Sequence, residues 1–156
     1  MRLALTFVLL LGSLGAARAG DVDFVRVWPE WHSAESFERI SEFFTGRENP
    51  GGQIVRRTQP AQREGFYFLV RLRNRGAAQP AARLVLSLIK PDSPQVRVHT
   101  FPLPLAAGES ALNLGLTGAD WPGRKIHPVA WKLEVLAADG TRLGLIQSFL
   151  WAKPDH

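Results

Sequence analysis

Cysteine is missing from all 156 residues of the chain, and its absence excludes several kinds of chemistry. Without a thiol there is no disulfide, no thiolate nucleophile, no cysteine metal site and no cysteine to carry a lipid. Stability must therefore come from packing, for which nine Phe and five Trp supply large apolar side chains.

Long hydrophobic runs are also missing, apart from one at the N-terminus. Residues 3–11 are apolar except for Thr6, Arg2 precedes them, and Ala17-Arg18-Ala19 offers a small-residue cleavage site. We therefore expect residues 1–19 to be a signal peptide and the mature protein to be exported, to the periplasm or the extracellular space. No later run approaches the roughly 20 apolar residues of a membrane span, so none is expected after cleavage.

Motifs for catalysis, metal binding and cofactor binding are missing as well. The four His residues never stand at i, i+2 or i, i+4 spacing, and neither H-E-x-x-H nor G-x-S-x-G occurs. Residues 115–118 lack the lysine of a phosphate loop. Paired carboxylates would have to come from distant segments, such as Glu30 and Asp120. We expect no catalytic residue, no metal and no cofactor.

Period-two alternation with frequent turn signals predicts the fold. Phe66, Phe68, Val70 and Leu72 share one face of a predicted strand, and similar alternation recurs towards residue 151. The first predicted strand runs from Asp21 to Trp28 and ends at Pro29, and the last runs from Thr141 to Trp151. The connections are too short for helical crossovers, which favours antiparallel order. Residues 20–156 are predicted to form a single, mainly β domain, an antiparallel sandwich of 7–8 strands. A barrel of the same strands is the alternative.

One short helix is predicted near the N-terminus, from Ser33 to Phe44. Ser33 is a suitable N-cap and Gly46 a suitable terminator. Apolar side chains recur at helical spacing along it, which predicts a stripe packed into the core. The alternative is a docking face for a partner protein. The stripe consists of Phe37, Ile40, Phe43 and Phe44.

Three features of residues 66–151 carry a resemblance to a known class of module. They are the strand 66–74, the proline-punctuated turn 90–94, and Trp131 in a late strand before the Asp139-Gly140 hairpin. In these features the chain resembles immunoglobulin-like or fibronectin type III-like modules of bacterial secreted proteins. The resemblance implies an immunoglobulin-like sandwich and a role in binding, spacing or scaffolding. The N-terminal helix is not part of such a module.

Charge is unevenly distributed along the chain. Residues 20–54 hold seven acids and three bases, whereas residues 55–97 hold nine bases and two acids. We expect the basic segment to neutralise the acidic one within the fold, and we expect no nucleic-acid partner. Arg71, Arg73 and Arg75 are the candidate anion-binding residues. Their alternative role is a solvated edge that discourages aggregation.

Tryptophans in loops or at strand ends are the better functional lead. Trp28, Trp31 and Trp121 are candidate ligand-binding residues, because an exposed indole can stack on a sugar ring as aromatic platforms stack on bases. Asp120, beside Trp121, can bond a sugar hydroxyl or satisfy its own turn. For Trp121 the favoured role is a plug over one end of the core, with more than half of its side chain buried.

These patterns favour a non-enzymatic, exported binding or scaffolding domain of the cell envelope, with an unknown protein or carbohydrate as its partner. A carbohydrate-binding module that uses loop tryptophans is the first alternative. A hydrolase whose site is not visible in the sequence is the second.

Overall fold

The alternating segments form eight β-strands in the computed structural model, which describes residues 20–121 and 123–152. The predicted signal peptide, residues 1–19, lies outside these ranges. The strands are β1 (Val22–His32), β2 (Ile54–Arg57), β3 (Gly65–Asn74), β4 (Arg83–Lys90), β5 (Ser93–Pro102), β6 (Gly108–Thr117), β7 (Ala130–Leu136) and β8 (Arg142–Gln147). Short helices occupy Ile40–Thr45 (α1) and Phe149–Ala152 (α2), and 3-10 turns occupy Ala34–Phe37 and Gly118–Asp120. Within the described ranges, no helix combines the length and apolarity needed to cross a membrane.

The eight strands form two four-stranded sheets, which confirms the predicted mainly β sandwich over the barrel. The first sheet has the order β1-β3-β6-β2 and the second has the order β5-β4-β7-β8. With β2 set aside, the order is compatible with an immunoglobulin-like architecture, in which the first, second and fifth strands face a sheet built on the third, sixth and seventh.

The core lies between the two sheets and uses the faces that the alternation predicts. Phe66, Phe68, Val70 and Leu72 of β3 are all buried there. Leucines of β4 and β6 pack against them, and Trp131 of β7 meets Phe68 edge-on with ring centres 5.5 Å apart. The strand phase read from the sequence is therefore correct for the central strands.

The strand β2 departs from the predicted antiparallel order. It pairs with β6 in parallel, with Ile54 opposite Leu112 and Arg57 opposite Gly115. Because β1 and β2 lie at opposite edges of the first sheet, residues 33–53 must cross that sheet to connect them. We call residues 33–53 the crossing segment, and the side of the first sheet that faces away from the second sheet the outer face.

The strand β1 runs four residues further than the sequence predicts. The sequence predicts that Pro29 ends the strand at Trp28. However, β1 is an edge strand, and an edge strand tolerates a proline because one side of it has no neighbouring strand to bond. A register shift between Phe24 and Arg26 marks a bulge. The bulge lets Phe24 and Val27 both pack against the core, and it turns Arg26 and Trp28 outwards.

The predicted helix 33–44 is present only as two short pieces, and the expected burial of most of its stripe is wrong. The chain is extended at Glu38 and Arg39, so that a 3-10 turn and α1 face different ways. Phe37 packs inward on Tyr67, with ring centres 4.6 Å apart. Ile40, Phe43 and Phe44 are instead 80–89% exposed. Gly46 does end α1, with a left-handed φ of 65°.

The predicted last strand, residues 141–151, is also too long. It ends at Gln147, and residues 149–152 form α2, in which Phe149 is 82% exposed. A register shift at Val135 and Leu136 changes the phase, so that Leu143 and Ile146 face the core and Leu145 does not.

Two phenylalanine truncations test this assignment of buried and exposed positions. Phe68→Ala removes a fully buried ring, and we expect it to destabilise the fold by about 3–5 kcal/mol. Phe43→Ala removes an exposed ring of the same size, and we expect a change within about 0.5 kcal/mol. Urea unfolding measures both. A large loss for Phe43→Ala would mean that α1 is packed as the sequence pattern predicts.

Candidate functional site

The outer face of the first sheet carries a buried tyrosine, although polar-out alternation predicts exposure there. Tyr67 alternates with the core residues Phe66 and Phe68, yet it is 0% exposed. Its ring lies flat over Gly115 of β6, where an added Cβ would come within 2.5 Å of the ring. Phe37 of the crossing segment and His32 cover it from above. Tyr67 therefore anchors the crossing segment to the sheet.

An ion-pair network fixes this anchor. Arg57 of β2 donates to the Tyr67 hydroxyl at 2.7 Å and to both Glu48 oxygens, at 2.8 and 2.5 Å. The hydroxyl in turn donates to the Arg63 carbonyl at 2.6 Å, and Arg63 pairs with Glu42 at 2.8 Å. These pairs join the acidic and basic segments of the sequence, as the charge pattern predicts.

The network shifts the ionisation of its members. Hydrogen bonds from Arg57 are the main reason that the pKa of Glu48 lies below its ordinary value. Burial raises the pKa of Tyr67, against the effect of the Arg57 bond. The anchor therefore holds a carboxylate and a neutral phenol at neutral pH.

Beside the anchor, the outer face is open and forms a groove of about 530 Å³. Its floor follows a row of register partners across the sheet: Trp28 in β1, Leu69 in β3 and Asn113 in β6. A smaller hollow of about 190 Å³ continues from Leu69 and Asn113 under the crossing segment. We call the larger hollow the outer groove. The crossing segment thus closes one end and leaves the rest accessible.

Trp28 is the aromatic residue of the outer groove. It is 50% exposed, and its indole N–H donates to Glu30 at 3.0 Å. The Arg26 guanidinium carbon lies 5.0 Å from the ring centre, within cation–π range. Arg26 over the ring and Glu30 at the indole N–H hold the ring in one orientation, and the exposed half of the side chain is left for stacking.

Two amides provide hydrogen-bonding groups along the floor. The Asn113 side chain donates to the Gln53 side-chain oxygen at 2.8 Å. An amide pair offers more donors and acceptors than this single bond uses. Within residues 20–121 and 123–152, neither side chain makes another hydrogen bond, so the remaining groups can bond a ligand.

A pair of arginines forms the end of the groove away from the crossing segment. Arg26 and Arg71 are direct register partners on neighbouring strands, and both are exposed. Neither has an ion pair with any residue that the structure describes. Like charges directly opposite each other destabilise a sheet, so this arrangement costs stability.

The three candidate anion-binding residues Arg71, Arg73 and Arg75 do not lie together in the groove. Arg73 pairs with Glu109 at 2.8 Å, and Arg75 lies beyond β3 and pairs with Asp23 at 3.0 Å. Only Arg71 of the three stands in the groove, and its neighbour there is Arg26. A bulge in β1 brings Arg26 into place, which strand alternation alone could not indicate.

Of the other predicted ligand-binding residues, none lines the outer groove. Trp121 is 3% exposed, stacks on Phe66 with ring centres 4.8 Å apart, and donates to the Ile126 carbonyl at 3.2 Å, which confirms the plug. Trp31 packs against the core. Asp120 accepts a hydrogen bond from Gln59 at 3.0 Å.

Asp120 is thus engaged in local structure. Burial acts to raise its pKa, but hydrogen bonds from Gln59 and Thr58, with His99 and Lys90 nearby, together lower it. Its carboxylate ties the loop after β6 to the chain after β2, which differs both from a sugar contact and from the bond within its own turn that the sequence suggests.

Ionisable groups do not gather into a reactive cluster in the groove. In the described part of the chain, no group of three His, Asp or Glu residues has an arrangement that could hold a metal ion. Glu30 is the carboxylate in the outer groove, and it holds the Trp28 indole. The arrangement is suited to stacking, hydrogen bonding and anion binding.

The fold and the groove define a two-sheet β-sandwich with an open, partly polar groove on one sheet. The chain matches no protein-family model, and its comparison with curated proteins gives no match.

Replacing Glu48 tests the anchor. Since the folded-state pKa of Glu48 lies below the unfolded value of about 4.3, its stabilisation is present above that value and is lost as the pH falls further. We expect Glu48→Gln to lower the free energy of unfolding at pH 7 by about 1–2 kcal/mol, because a charged hydrogen bond is lost. The difference from the wild type should shrink towards pH 3.

Glu38→Gln is the matched control, because Glu38 is exposed and in the same segment. It should change the unfolding free energy little at any pH. A loss in Glu48→Gln that is independent of pH would contradict the ionic role of the carboxylate.

Iodide quenching tests the placement of the tryptophans. We expect Trp28→Phe to remove the most quenchable part of the fluorescence, because Trp28 is half exposed and Arg26 attracts the anion. Trp121→Phe should leave the quenchable fraction nearly unchanged, because that indole is buried. The opposite ranking would refute the plug and return Trp121 to the binding candidates.

Proposed function

We propose that the protein is a non-enzymatic, exported binding domain of the cell envelope and that its ligand lies in the outer groove. The observation that carries the proposal is Trp28, a half-exposed indole held by Glu30 and Arg26 on the floor of an open groove. Large exposed aromatic rings at concave surfaces are typical of binding sites.

The architecture and the likeness to secreted modules support the same proposal. The order of the strands is compatible with the immunoglobulin-like or fibronectin type III-like modules that the sequence resembles, and such modules mostly bind or scaffold. Fold likeness alone fixes no ligand, so the groove carries the argument. Export rests on the N-terminal pattern of the sequence.

A saccharide is the ligand class that the groove suits best. A ring platform lies beside free amide groups of Gln53 and Asn113, which is the combination that sugar rings and hydroxyls need. This assigns the carbohydrate-binding role to Trp28, in place of the loop tryptophan Trp121.

Binding of purified polysaccharides by wild-type protein and two aromatic variants tests the proposal. We expect Trp28→Ala to weaken binding about tenfold or more, because stacking contributes roughly 1–3 kcal/mol per ring. Phe149→Ala removes a more exposed ring from α2, outside the groove, and should leave affinity unchanged. Calorimetry with a panel of neutral and acidic chains measures this. Equal affinity in wild type and Trp28→Ala would overturn the proposal.

A further inference from the structure

The end of the outer groove away from the crossing segment has an unbalanced positive charge. Arg26 and Arg71 face each other across β1 and β3 without an ion pair in the described ranges. The acids nearest in the sheet register, Asp23 and Glu109, are one row away and are bound to Arg75 and Arg73. The fold therefore neutralises the neighbouring row and leaves this one charged.

From this we infer that the groove selects an acidic saccharide, with a sugar ring against Trp28 and a carboxylate between Arg26 and Arg71. The inference rests on the proposed function and adds the ligand's charge. Paired guanidinium groups suit a carboxylate because each can donate two parallel hydrogen bonds to it. A bound anion also removes the repulsion between the two side chains.

Arg26 links the two parts of the site. Its guanidinium lies over the Trp28 ring, 5.0 Å from the ring centre, so a sugar against the exposed part of the ring has its substituents beside that arginine. Glu30 lies on the other side of Trp28 in the same strand, two residues along. A carboxylate there repels an anion and accepts hydrogen bonds from hydroxyl groups. The two ends of the groove therefore differ in charge, and this difference orients the saccharide.

A saccharide is favoured over an acidic peptide by the same geometry. An acidic peptide needs the arginines but has no regular ring to place on Trp28. A saccharide uses the ring, the amides of Gln53 and Asn113, and the arginines together. The two ligands differ in whether binding depends on Trp28, and the experiment uses this difference.

Oligogalacturonate and its methyl ester are the probes, because esterification removes the negative charge and adds only a methyl group to each unit. We expect the affinity of the wild-type protein for the acid form to be at least about tenfold higher than its affinity for the ester. The affinity for the acid form should fall as the salt concentration rises. The double variant Arg26→Gln/Arg71→Gln should bind both forms equally. Arg73→Gln is the matched control from the same strand and face, since Arg73 already has Glu109 as its partner. It should keep the wild-type preference.

Thermal melting separates binding from a structural role. Because the two arginines repel each other, the double variant should melt at the same temperature as the wild type or higher. A lower melting temperature with loss of both probes would show a structural role and overturn the inference.

Other outcomes also decide the matter. Equal wild-type affinity for acid and ester, or no binding of the acid form at millimolar concentration, overturns the acidic saccharide. If the wild type binds acid and ester equally and Trp28→Ala abolishes ester binding, the proposed binding function stands although the acidic-saccharide inference fails. Poly-glutamate that binds as tightly as oligogalacturonate and ignores Trp28→Ala would assign the arginines to an acidic peptide. If free galacturonate competes as well as oligogalacturonate, the arginines would instead be assigned to a small anion.

Discussion

The packing of Tyr67 on Gly115 is the contact on which the rest of the outer face depends. A phenol ring on the solvent side of a sheet must be covered, and the crossing segment covers it with Phe37 while Arg57 and Arg63 bond its hydroxyl. Any side chain at position 115 would occupy the space of the ring. Once the crossing segment is held there, the sheet is divided into a covered end and an open one. The open end is the outer groove.

The charges of the chain follow the same division. At the covered end, Arg57 and Arg63 are bound to Glu48 and Glu42, and burial from solvent strengthens these pairs. In the row of Arg73 and Glu109, exposed pairs neutralise the sheet but contribute little stability. Between these regions, Arg26 and Arg71 have no ion-pair partner among residues 20–121 and 123–152, and like charges opposite each other in a sheet repel. One acidic residue would remove this cost, and the unneutralised pair is the feature on which the proposed anion site rests.

Sequence patterns predict the part of this structure that depends on alternation and fail where several segments meet. The phase of β3, β4 and β6 follows from alternation because the core decides it, and the buried role of Trp121 follows from its turn-rich loop. The exposure of Phe43 does not follow from its sequence pattern, because helical spacing is the same whether a stripe packs or not. The break at Glu38 depends on the contact of the preceding residue, Phe37, with Tyr67. The position of Arg26 in the groove cannot be predicted from the sequence, because the bulge beside it changes the alternation of β1. Gln53 and Asn113 meet only through the parallel pairing of β2 and β6, which no local pattern announces.

Alternation also explains how one short strand pair can serve both the core and the groove. Along β1 and β3, each groove residue is next to a core residue: Trp28 follows Val27, and Arg71 follows Val70. Opposite faces of a strand have separate environments, so the side chains of one face can change without altering the packing of the other. The groove can therefore carry an exposed indole and two repelling arginines because the inner face supplies the stability. The same separation makes the groove residues accessible to substitution in a folded protein.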